Sequence, residues 1–260
     1  MRLSLSAKLD DIFGDPPSTE RVAVLRQQAF AHRGLHGEGR VENSMSAFAA
    51  ALEGGYGIEL DVRLARDGEV MVFHDETLER LTASSGQVAR KSRAELSQIT
   101  LRDTTDTIPT LDDVLAFVHG RVPILVEVKV DDDATLNTLC RGVRRAMEGY
   151  LGPVAIMSFH PEVSRWFFRN AKKSLRGLVM TQQEGATAGK GLRARLARHV
   201  AMWRARPDFL AYDIRDLPAR FPAAQRKRGY PVLTWTVRTA EQEKIARDAA
   251  DEIIFETPPR

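Results

Sequence analysis

A single-domain (β/α)8 TIM barrel is the fold class this sequence predicts, on three observations. Strand-like apolar runs alternate with helix-period segments from residue 29 onward, and eight of those runs each start a strand-helix unit. The length of 260 residues suits that architecture, which typically takes about 250. No glycine-rich GxGxxG turn follows an early strand, which weakens the competing reading of an open, doubly wound dinucleotide-binding sheet. Residues 1–28 are expected to form a short N-terminal helical extension and residues 29–260 the barrel, with a β-hairpin added after the second strand.

The extension holds a Pro16-Pro17 break between two helix-like pieces, and Leu3, Leu5, Leu9 and Ile12 would either plug the underside of the barrel or contact a partner subunit. Residues 29–31 read as a short buried strand that ends in His32-Arg33-Gly34. Asn43 is placed to cap a helix in which Met45, Phe48, Ala49 and Leu52 recur at helical spacing, and Gly54-Gly55 ends it. In the second strand Ile58, Leu60 and Val62 alternate with Glu59, Asp61 and Arg63, so the two acidic side chains share one face. Asp67-Gly68 is a two-residue hairpin signal. A turn there predicts pairing of Val70 with Ala65, Phe73 with Val62 and His74 with Asp61, which carries an imidazole to the carboxylates.

Residues 76–107 are polar and irregular, with a short helix expected near 93–98, and Thr110 then caps a helix over 111–118. Further strands are expected at 124–128, 154–157, 178–180, 209–212, 232–235 and 253–255, separated by helical patterns such as 134–147, 161–170 and 241–248. The basic stretch 190–206 carries Arg193, Arg195, Arg198 and Arg204 largely at helical spacing. It predicts a solvated outer face, with attraction of anionic lipid as the sharper reading.

Composition narrows the function classes. A chain that is 43% hydrophobic and 28% charged is ordinary for a globular protein and argues against disorder. The net charge of +3 suits an anionic substrate without requiring nucleic acid, so no nucleic-acid partner is expected. Cys140 is the only cysteine, which excludes an intrachain disulfide and favours a reduced compartment. The first residues include Lys8, Asp10 and Asp11, and no run approaches the roughly 20 apolar residues of a membrane span. The chain therefore reads as cytoplasmic, with no integral membrane segment.

In a barrel of this kind the active site forms at the C-terminal ends of the strands. His32 and Arg33 end the first strand, Glu59 and Asp61 lie on the second, Glu127 and Lys129 alternate at the end of the third, and the hairpin returns His74. Each alone has a duller explanation, such as a structural histidine or an ordinary ion pair. Together they bring three carboxylates, two imidazoles, an arginine and a lysine to one end. Converging carboxylates repel unless a cation or protons neutralise them, and oxygen-only ligands favour Mg²⁺ or Ca²⁺ over zinc. Arg33 and Lys129 beside such an ion suit a phosphate anion.

In order and spacing, His32-Arg33-Gly34, Glu42-Asn43, Phe48-Ala49, Gly57-Ile58-Glu59-Leu60-Asp61-Val62, Asp67-Gly68, His74-Asp75, Thr77-Leu78, Arg80, Thr82, Gly86, Glu127-Val128-Lys129 and Trp235-Thr236-Val237 resemble the glycerophosphodiester phosphodiesterase family. The resemblance implies a metal-dependent barrel hydrolase that releases glycerol 3-phosphate and an alcohol. It implies His32 and His74 as an acid/base pair, Glu59, Asp61 and Glu127 as ligands of Mg²⁺ or Ca²⁺, and Arg33 and Lys129 as phosphate-binding cations. It also implies Trp235 as an aromatic at the substrate mouth, and attack by the glycerol 2-hydroxyl through a cyclic phosphate. Two positions depart from the family pattern: Val41 stands where proline often precedes Glu-Asn, and Arg238 where asparagine commonly follows Trp-Thr-Val. The alternatives are a lysophospholipase D-type lipid phosphodiesterase and a non-catalytic phosphate-binding barrel. All seven polar site residues are present, which argues against the latter.

Overall fold

Each of the eight expected strands forms and hydrogen-bonds to a strand on either side. The computed structural model describes residues 15–37, 39–185, 187–256 and 258, so the positions Leu3, Leu5, Leu9 and Ile12 lie outside the described residues. The strands are β1 Phe30–Ala31, β2 Gly57–Leu64, β3 Val70–Val72, β4 Ile124–Val128, β5 Val154–Ser158, β6 Leu175–Met180, β7 Phe209–Asp213, β8 Val232–Val237 and β9 Glu252–Phe255. They hydrogen-bond in the order β1-β9-β8-β7-β6-β5-β4-β2-β3, with β1 also paired to β2. Eight parallel strands thus close on themselves as a (β/α)8 barrel, and the antiparallel β3 is the hairpin arm.

The helices are α1 Thr19–Val22, α2 Met45–Glu53, α3 Arg93–Leu96, α4 Leu111–Val118, α5 Leu136–Ala146, α6 Pro161–Asn170, α7 Leu192–Ala205, α8 Arg220–Arg228 and α9 Ala240–Ala249. Their ends follow local chemistry. Ser92 with Glu95, and Thr110 with Asp113, form reciprocal capping boxes at α3 and α4. At α2 the cap differs from expectation: Ser44 accepts from the Ala47 N–H, while Asn43 sits at φ 56° with its side chain turned elsewhere. A left-handed residue cannot start a helix, and a serine one position later can.

By contacts the chain divides into two compact units, Gln28–Ile156 with Ile254 onward, and the described residues up to Gln27 with Met157–Ile253. In the first unit, Ile58, Leu60 and Val62 of β2 are fully buried, and so are Ile124, Leu125 and Val126 of β4. The hairpin register is one residue off the expected one: Leu64 pairs with Val70, Arg63 with Met71 and Val62 with Val72. Ala65 N–H donates to Glu69 O, so three residues, Arg66-Asp67-Gly68, close the loop, with Gly68 at φ 85°. This is the three-residue hairpin that ends on a left-handed glycine, and it accommodates one more residue than a two-residue turn.

In the second unit, β6, β7 and β8 pair in register, Gly177 with Phe209 and Leu210 with Val232. The absence of a side chain at Gly177 makes room for the Phe209 ring, which a Cβ would meet at 2.4 Å. The N-terminal piece is tied here. Arg21 makes a two-pronged bond to the buried Asp208, at 3.0 and 2.8 Å, and Val22 and Leu25 are buried. Among the described residues no helix is long and apolar enough to cross a membrane.

Candidate active site

β2 lies beside β4 with Glu59 next to Leu125 and Asp61 next to Glu127. Because side chains alternate along a strand, Glu59, Asp61 and Glu127 then project from the same face. One carboxylate oxygen from each lies within 4.8 Å of the others. Glu59 is 0% exposed, Asp61 1% and Glu127 7%, so water does little to screen them. Lys129, two residues beyond Glu127, brings its Nζ to 3.0 Å from Asp61 Oδ1 and also pairs with Glu127.

Burial acts on these groups in one direction and neighbours in another. Glu59 is held well above the usual carboxylate range, first by burial and then by the charges of Asp61 and Glu127. Burial would also raise Asp61, but Lys129 and Arg33 outweigh it and hold that carboxyl low. The Lys129 ammonium, which burial alone would depress, is raised by Asp61 and Glu127. Glu59 Oε1 is buried without a hydrogen-bond partner, a state that costs on the order of 1–3 kcal/mol for a buried acceptor and more for a charged one. An orphaned carboxylate oxygen facing two further carboxylates fits a hard divalent cation, which takes oxygen ligands.

Arg33 occupies a left-handed backbone position at φ 56°, followed by Gly34 at φ 78°. A Cβ on Gly34 would meet the backbone of Ala47 at 2.9 Å, so only glycine lets this loop close on α2. The turn aims the Arg33 N–H at Glu59 Oε2, 3.0 Å away, and the guanidinium at Asp61 (Nε to Oδ2, 3.2 Å) and Glu42 (2.8 Å). Glu42 also accepts from Arg80, Arg80 donates to Asp75, and Asp75 Oδ1 is 2.6 Å from His74 Nδ1. Hydrogen bonds to Arg80 and His74 overcome burial and hold the Asp75 carboxyl down to about 2. His74 itself is pushed down, chiefly by burial, although Asp61 works against that.

The second histidine is backed in the same way. His32 Nδ1 lies 2.9 Å from Glu256 Oε1, and its Nε2 is 3.9 Å from Glu59 Oε2. A carboxylate on Nδ1 fixes that nitrogen as the donor and leaves Nε2 to exchange protons. His32, His36 and Glu256 form another grouping with ligand atoms within 4.8 Å, although there one carboxylate is already bonded to His32.

The structure thus brings together His32, Arg33, Glu59, Asp61, His74, Glu127 and Lys129 in one unit. Trp235 belongs to the other unit, on β8, where its Nε1 donates to Ala211 O and its ring meets Phe159 edge to face at 5.5 Å. The exposed Arg238 donates its N–H to Gln242. Sequence reasoning assigned no role in the site to Glu256, Asp75, Glu42 or Arg80, nor to Asn43, expected only as a helix cap, whose amide donates to Asp61 Oδ2 at 2.9 Å. The signal for Glu256 was its place directly after the last strand, at the strand ends where barrel sites form.

The chain is similar to known proteins over most of its length. A stretch of 108 residues is 40% identical to a glycerophosphodiester phosphodiesterase of Bacillus altitudinis, covering 39% of this chain and 44% of that one. A similarity of 26% over 251 residues, 90% of this chain and 96% of the other, relates it to a glycerophosphodiester phosphodiesterase of Caldanaerobacter subterraneus subsp. tengcongensis. In fold it is similar to an Oleispira antarctica phosphodiesterase solved with the product sn-glycerol 3-phosphate, with a TM-score of 0.77 at 20% identity over 91% of this chain and 96% of that one. A glycerophosphodiester phosphodiesterase from Thermotoga maritima gives a TM-score of 0.69 at 24% identity over 87% and 93%. The model of the glycerophosphoryl diester phosphodiesterase family matches residues 32–256. The chain therefore belongs to the glycerophosphoryl diester phosphodiesterase family of hydrolases.

Proposed function

We propose that this chain hydrolyses glycerophosphodiesters to glycerol 3-phosphate and an alcohol, using a divalent cation, Mg²⁺ or Ca²⁺, held by Glu59, Asp61 and Glu127. The observation that carries this reading is the buried three-carboxylate group with an orphaned Glu59 oxygen, bordered by Arg33 and Lys129. When bound, the cation neutralises the carboxylates and polarises a phosphoryl oxygen as a Lewis acid. Arg33 and Lys129 hold the remaining phosphate oxygens, the former by a fork that Glu42 orients.

Displacement at a diester requires one proton removed from the nucleophile and one delivered to the departing alkoxide. Two imidazoles with their Nδ1 atoms tied to carboxylates divide that work at Nε2. His74, which burial favours in its neutral form, takes the proton from the glycerol 2-hydroxyl. As that oxygen bonds to phosphorus, the P–O bond to the alcohol breaks and His32 protonates the alkoxide. Water then opens the cyclic phosphate with the roles reversed. Attack from within the substrate has the proximity advantage that a free water lacks.

The test is product analysis on glycerophosphodiesters and lysophospholipids, together with a glycerophosphodiester analogue whose 2-hydroxyl is replaced by hydrogen. Release of glycerol 3-phosphate from the diesters is expected, with binding but no turnover of the analogue. Rapid hydrolysis of the analogue would exclude the cyclic route, and turnover confined to lysophospholipids would reassign the substrate class.

A further inference from the structure

Helix α7 is amphipathic in an unusual sense. Its inner side buries Arg198, Met202 and Ala205, with Arg198 donating to the carbonyls of Thr187 and Gly189. Its outer side carries Leu192, 78% exposed, and Leu196, 57% exposed, followed by the exposed Val200 and Trp203. At a 100° turn per residue these four fall within one narrow stripe. Arg193 and Arg204, the latter paired with Glu162, flank the stripe on one side and Arg195 and His199 on the other. Between Lys190 and Arg206 the sequence has no acidic residue.

The positive charge continues into a neighbouring cavity of about 720 Å³ between α7 and α8, lined by Lys190, Arg195, Arg198, Arg220 and Arg215, the last already paired with Asp213, with Asp216 the one carboxylate in the lining. That carboxylate already accepts from the Gln182 N–H and the Gln183 amide. An isolated exposed leucine needs no explanation, but four large apolar side chains in line, rimmed by cations, mark a binding surface. A second copy of the chain is a poor occupant, because a two-fold contact would set these cations against their own kind. A phospholipid surface offers both what the stripe lacks, an apolar layer about 5–10 Å below the headgroups, and what the rim attracts, anionic phosphate.

We propose that the outer face of α7 is a peripheral docking surface for anionic phospholipid bilayers, with the cavity between α7 and α8 receiving a lipid phosphate. Leu192, Leu196, Val200 and Trp203 enter the headgroup boundary, and Lys190, Arg193 and Arg195 stay at phosphate level. This surface is independent of the hydrolytic reading above.

The experiment is co-sedimentation of the full chain with vesicles of phosphatidylcholine alone or mixed with phosphatidylglycerol, at low and high salt. Binding to the anionic vesicles at low salt is expected, weakened by salt and accompanied by a blue shift of fluorescence that Trp203→Phe removes. Leu192→Asn/Leu196→Asn should abolish sedimentation while turnover of a soluble glycerophosphodiester and the melting temperature stay as in the wild type. Arg193→Glu/Arg195→Glu should weaken binding on the order of tenfold or more. No binding to anionic vesicles at low salt, equal binding to phosphatidylcholine alone, or undiminished binding by the leucine variant would each overturn the proposal.

Discussion

β2 carries two carboxylates into the interior between aliphatic neighbours, whereas α7 leaves two leucines, a valine and a tryptophan in solvent. Each element breaks the ordinary sorting of side chains, in opposite directions. An ionised group inside costs several kcal/mol unless a partner compensates it, while an exposed leucine merely forgoes a stabilisation of about 1.5–3 kcal/mol. The interior violation is therefore the stronger indication that something binds, and it is surrounded by matching chemistry: Arg33, Lys129, His32 and His74. The exterior violation points to a partner of the opposite kind, soft and extended rather than small and hard. Treating β2 as a reaction site and α7 as a docking face leads to experiments that should affect the two separately.

The largest separation is expected from the histidines. His32→Ala or His74→Ala should lower kcat by about 10²- to 10⁴-fold. The melting temperature should move little for His74→Ala, whose imidazole is partly exposed, and somewhat more for His32→Ala, whose imidazole is buried against Glu256. Stopped assays with soluble substrate, alongside thermal melts, check this. A histidine variant with wild-type kcat would remove that residue from the proton transfers.

Arg33→Lys comes next. A lysine cannot reproduce the forked contact with Glu42 and Asp61, so kcat/KM should fall by about ten- to a hundredfold, from the loss of a charge-assisted hydrogen bond worth about 1.5–3 kcal/mol. Unchanged kcat/KM would mean the phosphate is held elsewhere. Glu42→Gln should give a smaller loss of the same sign, because Glu42 touches both Arg33 and Arg80.

A smaller, pH-dependent effect belongs to the carboxylates. Glu59 has a folded pKa above its ordinary 4.5, so its contribution to the metal-free fold is fully present below 4.5 and is lost as pH rises through the folded value. Cation binding requires the ionised form and should release a proton. Calorimetric titration with Mg²⁺ in buffers of different ionisation enthalpy measures that release, and Glu59→Gln should abolish it. Asp75 behaves in the opposite sense. Its folded value of about 2 lies below the ordinary 3.8, so it stabilises the fold above 3.8 and the benefit disappears as pH falls through about 2. Asp75→Asn should therefore melt lower than wild type at neutral pH, and the gap should close on acidification.

How much of this was legible depends on whether a feature is local. The barrel was readable because strand and helix periods repeat along the chain, and the cap at Thr110 because its partner Asp113 is three residues away. The residues β2 and β4 bring together were readable from alternation, since a period of two puts Glu59 and Asp61 on one face and Glu127 at the end of another strand. The hairpin register was missed by one residue, because Asp-Gly signals a turn without stating whether Arg66 belongs to it. Asn43 was misread as a cap, because its hydrogen bonds run to Asp61, 18 residues on. Glu256 was missed for the same reason at larger range: it meets His32 across 224 residues, through the pairing of β1 with β9. The stripe on α7 was hidden behind its arginines, since its charge pattern is that of an ordinary wet helix and only burial reveals which side faces out.

The most direct test of the buried carboxylates is turnover of a glycerophosphodiester as a function of free Mg²⁺ and Ca²⁺ after exhaustive chelation, for wild type and Glu59→Gln. Glycerol 3-phosphate release should vanish on chelation, return saturably with one of the two ions in the wild type, and stay absent in Glu59→Gln at ion concentrations that restore the wild type. Full turnover by protein shown by elemental analysis to be free of metal would contradict the assignment of Glu59, Asp61 and Glu127 as a cation site.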